Sequence, residues 1–249
     1  MGRVVRLVAL FSLVFQGCAT SAPEREVPLA RGEMVALPGK SGLVIGAPHG
    51  TSDAGTDSIS REVARRTGFG LVLATGFAKI DSEGRRFNVN RPTLGLPGRP
   101  SSSEVQTEEA RLLYESYLRR VKEVAQGPIR LLVELHGNGR QESASRIEIA
   151  TVGVTREQAW QLRTLFELIR DAYLPSWPGA PRLQILVEPL DRLYFGATGA
   201  KELGVLRFPQ QALHIELPQI ARTGWSEAYV EILSEFLKEA SALLLTRRQ

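Results

Sequence analysis

The chain has 249 residues, of which 43% are hydrophobic and 23% charged, and its formal net charge is +4. This length fits one domain with a sizeable core, and the composition excludes a disordered, collagen-like or coiled-coil chain. Two of the 31 basic residues, Arg3 and Arg6, lie in an N-terminal leader, so the rest of the chain carries 29 basic against 27 acidic residues. No basic cluster is present, and nucleic acid is therefore not expected as a partner.

The first 18 residues have the pattern of a secretory leader. Arg3 and Arg6 precede an apolar run over residues 7–15, which is too short to span a bilayer. The run leads into FQGC, which resembles the lipobox of bacterial lipoproteins, where the cysteine becomes lipidated. Cys18 is the only cysteine. We predict a lipoprotein signal peptide over residues 1–18 and a Cys18 anchor in the bilayer of a bacterial cell envelope, at the outer membrane or the periplasmic face. The alternative is an ordinary signal peptide in which Cys18 has no role.

The rest of the chain divides into a tether and one domain. Residues 19–33 contain two prolines and mixed charges without periodicity, which is typical of a tether. Residues 34–249 alternate short apolar runs with longer helical patterns, and we predict one three-layer α/β/α sandwich around a mixed, mostly parallel sheet. The predicted strands cover residues 42–47, 70–75, 129–136, 147–152, 183–188 and 212–217.

Four helices are predicted from residues that favour helix N-termini. Their predicted starts are Ser58, Ser103, Thr155 and Ser226. Ser103 and Thr155 are each followed three residues later by glutamine, as in a capping box. In folds of this class ligands bind beyond the carboxyl ends of strands, so polar residues that follow the apolar runs are the candidates for function.

The three histidines lie at or next to predicted strand ends. His49 precedes Asp53 by four residues, His136 is followed by Gly-Asn-Gly, and His214 lies in the last strand. A catalytic zinc site needs about three histidine or carboxylate ligands and an open position for water. His49, Asp53 and His136 meet that requirement, and we predict that they bind Zn²⁺. On spacing alone Asp53 is equally a turn aspartate. Asp57 is the rival ligand, although its place just ahead of a helix favours an N-cap.

Strand alternation places His214 and Glu216 on one face of the last strand. A carboxylate on a buried strand is costly unless it is paired or its pKa is shifted, which makes Glu216 a candidate general base. The alternative is a solvated glutamate on an edge strand. Glu134 precedes His136 by two residues and is predicted to orient an imidazole. His214 is expected either to contact the metal or to line the substrate site.

The segment Asn88-Val89-Asn90-Arg91-Pro92 places amides beside a guanidinium. Because arginine binds carboxylates in a two-pronged manner, Asn88, Asn90 and Arg91 are predicted to recognise an acidic small-molecule or peptide-like substrate. The alternative is a surface turn before the proline. Serine hydrolase chemistry is not favoured, since no G-x-S-x-G occurs.

Together these segments resemble the N-formylglutamate amidohydrolase family over residues 42–217. The matching segments, in order, are APHG, GTD, NVNRP, VELHGNG and HIEL. The loop HGTSDAGT also resembles that of phage poly-γ-glutamate hydrolases, with Asp53 in place of Glu. Asn88 stands where the amidohydrolases usually have Asp.

Both groups are carboxypeptidase-like zinc hydrolases, and the resemblance implies their fold and chemistry. It implies zinc at His49, Asp53 and His136, Glu216 as the catalytic carboxylate, and Arg91 with its neighbouring Asn90 as the binder of a substrate carboxylate. The implied reaction is hydrolysis of an amide bond in a γ-glutamyl or N-acyl-glutamate compound. The alternative is a non-catalytic envelope lipoprotein that keeps the fold as a binding module.

Overall fold

The computed structural model describes residues 32–78, 84–97 and 103–246, so the predicted signal peptide with Cys18 and most of the predicted tether lie outside the described residues. In chain order the strands and helices are β1 (Glu33–Leu37), β2 (Lys40–Ala47), α1 (Thr56–Thr67), β3 (Phe69–Thr75), β4 (Arg86–Phe87), β5 (Leu94–Gly95), α2 (Glu108–Ala125), β6 (Leu131–Asn138), β7 (Arg146–Val152), α3 (Arg156–Tyr173), β8 (Gln184–Val187), α4 (Thr198–Glu202), β9 (Gln211–Pro218) and α5 (Ser226–Leu245). All six predicted strands are present, as β2, β3, β6, β7, β8 and β9.

One sheet organises the described residues, with the strand order β1-β3-β2-β6-β9-β7-β8. β1 pairs antiparallel with β3, and β7 pairs antiparallel with β9, while the other neighbours in the sheet are parallel. The prediction of a mixed, mostly parallel sheet is therefore confirmed. β4 and β5 form a separate short hairpin that sequence periodicity did not indicate.

Helices cover both faces of this sheet, as the predicted three-layer sandwich requires. α1, α3 and α5 pack on one face, where the largest apolar cluster lies. Within it, the rings of Phe166 on α3 and Phe236 on α5 stack with centroids 4.4 Å apart. α2 packs on the opposite face over a second apolar cluster. Across the described ranges, no helix is both long enough and apolar enough to cross a membrane.

Two of the helix starts were predicted from capping boxes, and only one of these boxes is present in the structure. The capping box at Thr155 is confirmed, because its hydroxyl accepts from the Gln158 backbone N–H and the Gln158 side chain accepts from the Thr155 N–H. The box predicted at Ser103 is wrong. Val105 instead pairs with Leu94 through two backbone hydrogen bonds, and α2 begins after Thr107, whose hydroxyl caps it.

Candidate metal centre

Four polar side chains share one face of the two central strands. β6 and β9 run parallel, with Glu134 opposite His214 and His136 opposite Glu216. Because side chains alternate along a strand, the residues between them point to the apolar cluster on the other face. Two short patterns, Glu-x-His and His-x-Glu, therefore build a compact square of ionisable groups near the carboxyl ends of the strands.

A loop after β2 brings two further groups to this square. His49 follows the strand, and the Asp53 backbone N–H donates to the His49 carbonyl at 2.9 Å, which folds the loop back on itself. Gly50 is fixed to the next strand by a hydrogen bond from its N–H to the Ala74 carbonyl at 3.0 Å. Asp53 Oδ2 also accepts from the Gly137 N–H at 3.1 Å, directly after His136. The Asp53 carboxylate thus lies against the end of β6.

The three predicted ligands meet in a geometry that suits zinc. Asp53 Oδ2 lies 3.4 Å from His49 Nδ1 and 3.6 Å from His136 Nδ1. A tetrahedral zinc with nitrogen and oxygen ligands at 2.0–2.2 Å separates its ligand atoms by about 3.3–3.6 Å. The two imidazole rings stand edge to face at 4.9 Å, so both can direct a nitrogen to the same point. All three side chains are buried.

The pKa values of these groups describe a site in which carboxylates stabilise a positive charge on His136. Burial lowers the pKa of His49 to about 4, against the opposing effect of Asp53, so this imidazole is neutral. Burial favours protonation of Asp53, but hydrogen bonds from His136 and His49 outweigh it and hold its pKa below the usual range. Burial also opposes a charge on His136, yet Asp53 and Glu134 raise its pKa to about 10. A metal cation would replace the proton that His136 otherwise holds between two carboxylates.

A second group of possible ligands, Glu134, His136 and His214, overlaps the first. Glu134 Oε2 lies 3.5 Å from His136 Nε2 and 3.6 Å from His214 Nδ1. However, the two imidazole rings stack with centroids 4.0 Å apart and 27° between their planes. Their in-plane nitrogen lone pairs therefore run nearly parallel and do not converge on one ion. This group supports the first site and does not form a second one.

Glu134 is the support beneath the site. It is fully buried, and it accepts from Asn90 Nδ2 at 3.0 Å and from the Tyr117 hydroxyl at 3.2 Å. Its remaining interactions are with His136 Nε2 and His214 Nδ1. A carboxylate on the outer nitrogen of a ligand imidazole fixes the orientation of that ring. This is the placement predicted for Glu134 from its spacing to His136.

Glu216 lies beside the three candidate ligands. Its strand, β9, runs between β6 and β7, so the alternative of a solvated edge-strand glutamate is wrong. Glu216 Oε1 lies 3.1 Å from His214 Nε2. Burial favours its protonated form, but the hydrogen bond with His214 and the charge of His136 outweigh that effect and lower its pKa. Glu216 is therefore ionised and able to accept a proton.

A cavity of about 690 Å³ opens over these groups. Its floor contains His49, Asp53, His136, His214 and Glu216. Its wall includes Tyr194, Phe195 and the glycine-rich segment that follows.

Glu148 on β7 fixes the aromatic wall of this cavity. It lies opposite Glu216 in the sheet, is fully buried, and accepts from the backbone N–H groups of Tyr194 and Phe195 at 2.8 and 2.9 Å. The sequence carried a signal for it, a lone acidic residue in an apolar strand, which is also the pattern of Glu134 and Glu216.

The residues predicted to bind substrate are placed differently from one another. Asn88 and Arg91 line the cavity, whereas Asn90 is fully buried and donates to Glu134 below the metal centre. Arg91 does not present a free guanidinium edge. Its Nε and Nη2 donate to the two carboxylate oxygens of Glu104 at 2.8 and 2.6 Å. A substrate carboxylate at Arg91 would have to displace Glu104.

Two arginines near the site were missed by sequence reasoning. Arg86 lines the cavity, and its Nη2 lies 3.8 Å from Asp53 Oδ1 and 3.3 Å from the Ser52 hydroxyl. Arg222 lies in a turn of π-helix over Ile220–Gly224. It donates to the backbone carbonyls of Ala54, Asn138 and Leu217, which follow Asp53, His136 and Glu216 by one or two residues. Arg222 thereby connects the loop after β2, which carries His49 and Asp53, to the ends of β6 and β9. Neither arginine stands in a sequence pattern that indicates these contacts.

Asp57, the rival carboxylate ligand, lies in the first turn of α1. It accepts from the Ser58 hydroxyl and is not among the residues that line the cavity. The prediction of Asp57 as N-cap is also wrong, because Gly55 takes that position with φ 88°. The helix starts two residues earlier than predicted, at Thr56, whose hydroxyl donates to the Asp53 carbonyl. Asp53 is therefore the carboxylate at the centre.

The chain is similar in fold to solved proteins. One is YNDL in its zinc-free apo form, 14% identical over 85% of this chain and 91% of that chain, with a TM-score of 0.51. Others are a bacteriophage poly-gamma-glutamate hydrolase, 13% identical over 85% and 88% of the two chains with a TM-score of 0.46, and gene product Atu2144 from Agrobacterium tumefaciens, 15% identical over 86% and 96% with a TM-score of 0.47. No protein-family model and no curated protein matches the chain. The likeness to YNDL confirms the fold class predicted from the sequence.

Proposed function

We propose that this chain is a zinc-dependent hydrolase of amide bonds. The observation that carries the proposal is the position of Asp53 Oδ2, which lies 3.4 and 3.6 Å from the Nδ1 atoms of His49 and His136 on the floor of an open cavity. The buried and ionised Glu216 lies on the same floor. Two imidazoles, one carboxylate and an adjacent base are the parts that metal-assisted hydrolysis needs.

His49, Asp53 and His136 would hold the metal, which when bound acidifies water and polarises a substrate carbonyl. Glu216 accepts a proton from the attacking water at a carboxylate oxygen and passes it to the nitrogen of the leaving amine. His214 holds the Glu216 carboxylate through Nε2. Arg86, with its guanidinium beside Asp53, donates hydrogen bonds to the substrate's carbonyl oxygen.

The substrate class follows from the resemblance together with the cavity. Hydrolysis of an amide, γ-glutamyl or N-acyl-glutamate bond is the reaction that the resemblance implies. The cavity is lined by Arg86 and Arg91 and by the carboxylates of Asp53, Glu104, Glu202 and Glu216, and a bound Zn²⁺ would offset the excess negative charge. A small or peptide-like amide with hydrogen-bonding groups fits this lining.

The test is a hydrolysis assay on a panel of glutamyl amides and muropeptides. We expect cleavage of at least one panel member, loss of cleavage when a chelator removes the metal, and recovery when zinc is returned. A protein that binds zinc and cleaves none of the panel would favour the binding-module alternative. Cleavage that persists after complete removal of the metal would contradict zinc dependence.

We further propose that the domain is anchored to the bacterial cell envelope through Cys18. The support is the sequence FQGC after a basic and apolar leader. In a Cys18→Ser variant we expect the protein to leave the membrane fraction. Retention of the variant in membranes would contradict lipid anchoring at this residue.

A further inference from the structure

Arg91 and Glu104 form an ion pair in one part of the cavity lining. Both carboxylate oxygens of Glu104 are occupied, since Oε1 accepts from Arg91 Nη2 at 2.6 Å and Oε2 accepts from Arg91 Nε at 2.8 Å and from the Thr93 hydroxyl at 2.9 Å. The two side chains are only 17% and 13% exposed. Glu104 thus holds the two-pronged position that a substrate carboxylate would take on this guanidinium.

The other side of the guanidinium is also engaged. Arg91 Nη1 donates to Asn90 Oδ1 at 3.2 Å, and the Arg91 side chain packs so closely on Gly199 that a β-carbon there would lie 3.0 Å from Cδ. Arg91 therefore has little freedom to turn toward a second carboxylate. The segment that carries Glu104 is held in turn by the paired backbones of Leu94 and Val105.

Displacement of Glu104 by a substrate carboxylate is unfavourable for two reasons. The displaced Glu104 carboxylate would remain partly buried without its cation, which is unfavourable when it finds no new partner. Glu104 also competes as a tethered group, so a dissolved anion must overcome its effective concentration at Arg91. Burial opposes ionisation of Glu104, but Arg91 outweighs burial and lowers its pKa, so the competitor is charged.

We propose that Glu104 is a specificity-determining residue, which occupies the carboxylate-binding edge of Arg91 and restricts this end of the cavity to substrates with a neutral group there, such as an amide within a chain. The inference rests on the proposed function only in taking this cavity as the substrate site. It predicts an enzyme that acts inside a chain or beside an amidated end, and that discriminates against a free carboxylate at this position.

The test measures binding of glutarate and of its monoamide, glutaramate, by calorimetry to the zinc-loaded protein. The two ligands differ in one charged group. In the wild type we expect glutaramate to bind at least as tightly as glutarate. In Glu104→Ala and Glu104→Gln we expect the preference to shift toward glutarate by about tenfold or more, because the freed guanidinium gains a charged partner.

Two further variants make the test specific. Glu202→Gln removes another carboxylate that lines the cavity. It should leave the ratio unchanged, because the side-chain hydrogen bonds of Arg91 go to Glu104 and Asn90. Arg91→Gln added to Glu104→Ala should abolish the gain in glutarate affinity. Glu104→Gln keeps the size of the side chain, and thermal unfolding shows that each variant is folded.

The inference is overturned by a wild type that prefers glutarate by about tenfold, by an unchanged ratio in both folded Glu104 variants, or by an equal shift in Glu202→Gln. Absence of binding of either ligand to the folded Glu104 variants also overturns it. Repeating the titrations on metal-free protein separates this result from the proposed function. If the wild type takes up no zinc, the hydrolase proposal fails, while the Arg91-dependent gain in glutarate affinity still decides the role of Glu104.

Discussion

The two faces of the central strands show how one alternating pattern builds a core on one side and a site on the other. Toward α1, α3 and α5 six alternate positions of β6 and β9 are apolar and fully buried: Leu131, Val133, Leu135, Leu213, Ile215 and Leu217. Toward α2 only the first halves of these strands are apolar, with Leu132 and Ala212 in the second cluster. Their second halves on this face carry the square of glutamates and histidines.

This difference separates stability from function. Burial of apolar side chains stabilises the fold by about 1.5–3 kcal/mol for each large residue. Burial of the charged square costs free energy that hydrogen bonds and ion pairs, such as those of Glu134, must offset. Substitutions on the apolar face should therefore reduce stability, and substitutions on the polar face should reduce metal binding or turnover.

The largest effect is expected from Glu216→Gln on the polar face. The amide cannot accept the proton from water, so we expect hydrolysis to fall by about 10²–10⁴-fold. Zinc content should stay that of the wild type, because Glu216 is not one of the three predicted ligands. Steady-state kinetics together with metal analysis check both statements. Turnover near that of the wild type would remove Glu216 from its role as base.

On the apolar face, Phe166→Ala should lower the free energy of unfolding by about 3–5 kcal/mol. Phe166 is fully buried and stacks on Phe236, so its removal leaves a cavity between α3 and α5. Denaturant unfolding of the metal-free protein measures the loss in free energy of unfolding. The folded variant should bind zinc as tightly as the wild type does. A large change in zinc affinity would show that the two faces are coupled and would break the comparison.

A smaller effect is expected from Glu134→Gln, which lies beneath the metal centre. It keeps its size but loses the charge that orients His136, so we expect zinc affinity to fall by about 10–100-fold. Competition with a zinc chelator measures the change. Tyr117→Phe is the matched control, since it removes a hydrogen bond to Glu134 Oε1 and leaves the carboxylate in place. An equal loss in the control would assign the effect to the hydrogen bonds around Glu134 and not to its charge.

The smallest effect is expected from Asp57→Asn. Its carboxylate lies in the first turn of α1, where a negative charge stabilises a helix by about 0.3–1 kcal/mol. Zinc content and turnover should be unchanged. Loss of zinc in Asp57→Asn, with zinc retained in Asp53→Asn, would exchange the roles of the two aspartates.

The strands and the polar square were predictable because they depend on local patterns. Runs of Leu, Ile and Val indicate buried strands, and a spacing of two residues places Glu134 with His136, and His214 with Glu216, on one face. The carboxyl ends of parallel strands then bring such residues together.

The remaining features depend on contacts between distant segments. The Arg91–Glu104 pair spans 13 residues and forms because the backbone at Val105 pairs with Leu94, which also moves the start of α2 beyond the predicted Ser103. Arg222 meets carbonyl groups on three segments, and no residue pattern encodes such contacts. β1 carries only a short apolar stretch beside the predicted tether, and its strand conformation comes from pairing with β3.

The most direct test of the central claim is the zinc content of the purified protein and of two ligand variants, measured by elemental analysis. The account predicts one zinc per wild-type chain and loss of tight zinc binding in both His49→Ala and His136→Ala, with each variant still folded. A wild type without zinc, or variants that bind zinc as the wild type does, would contradict it.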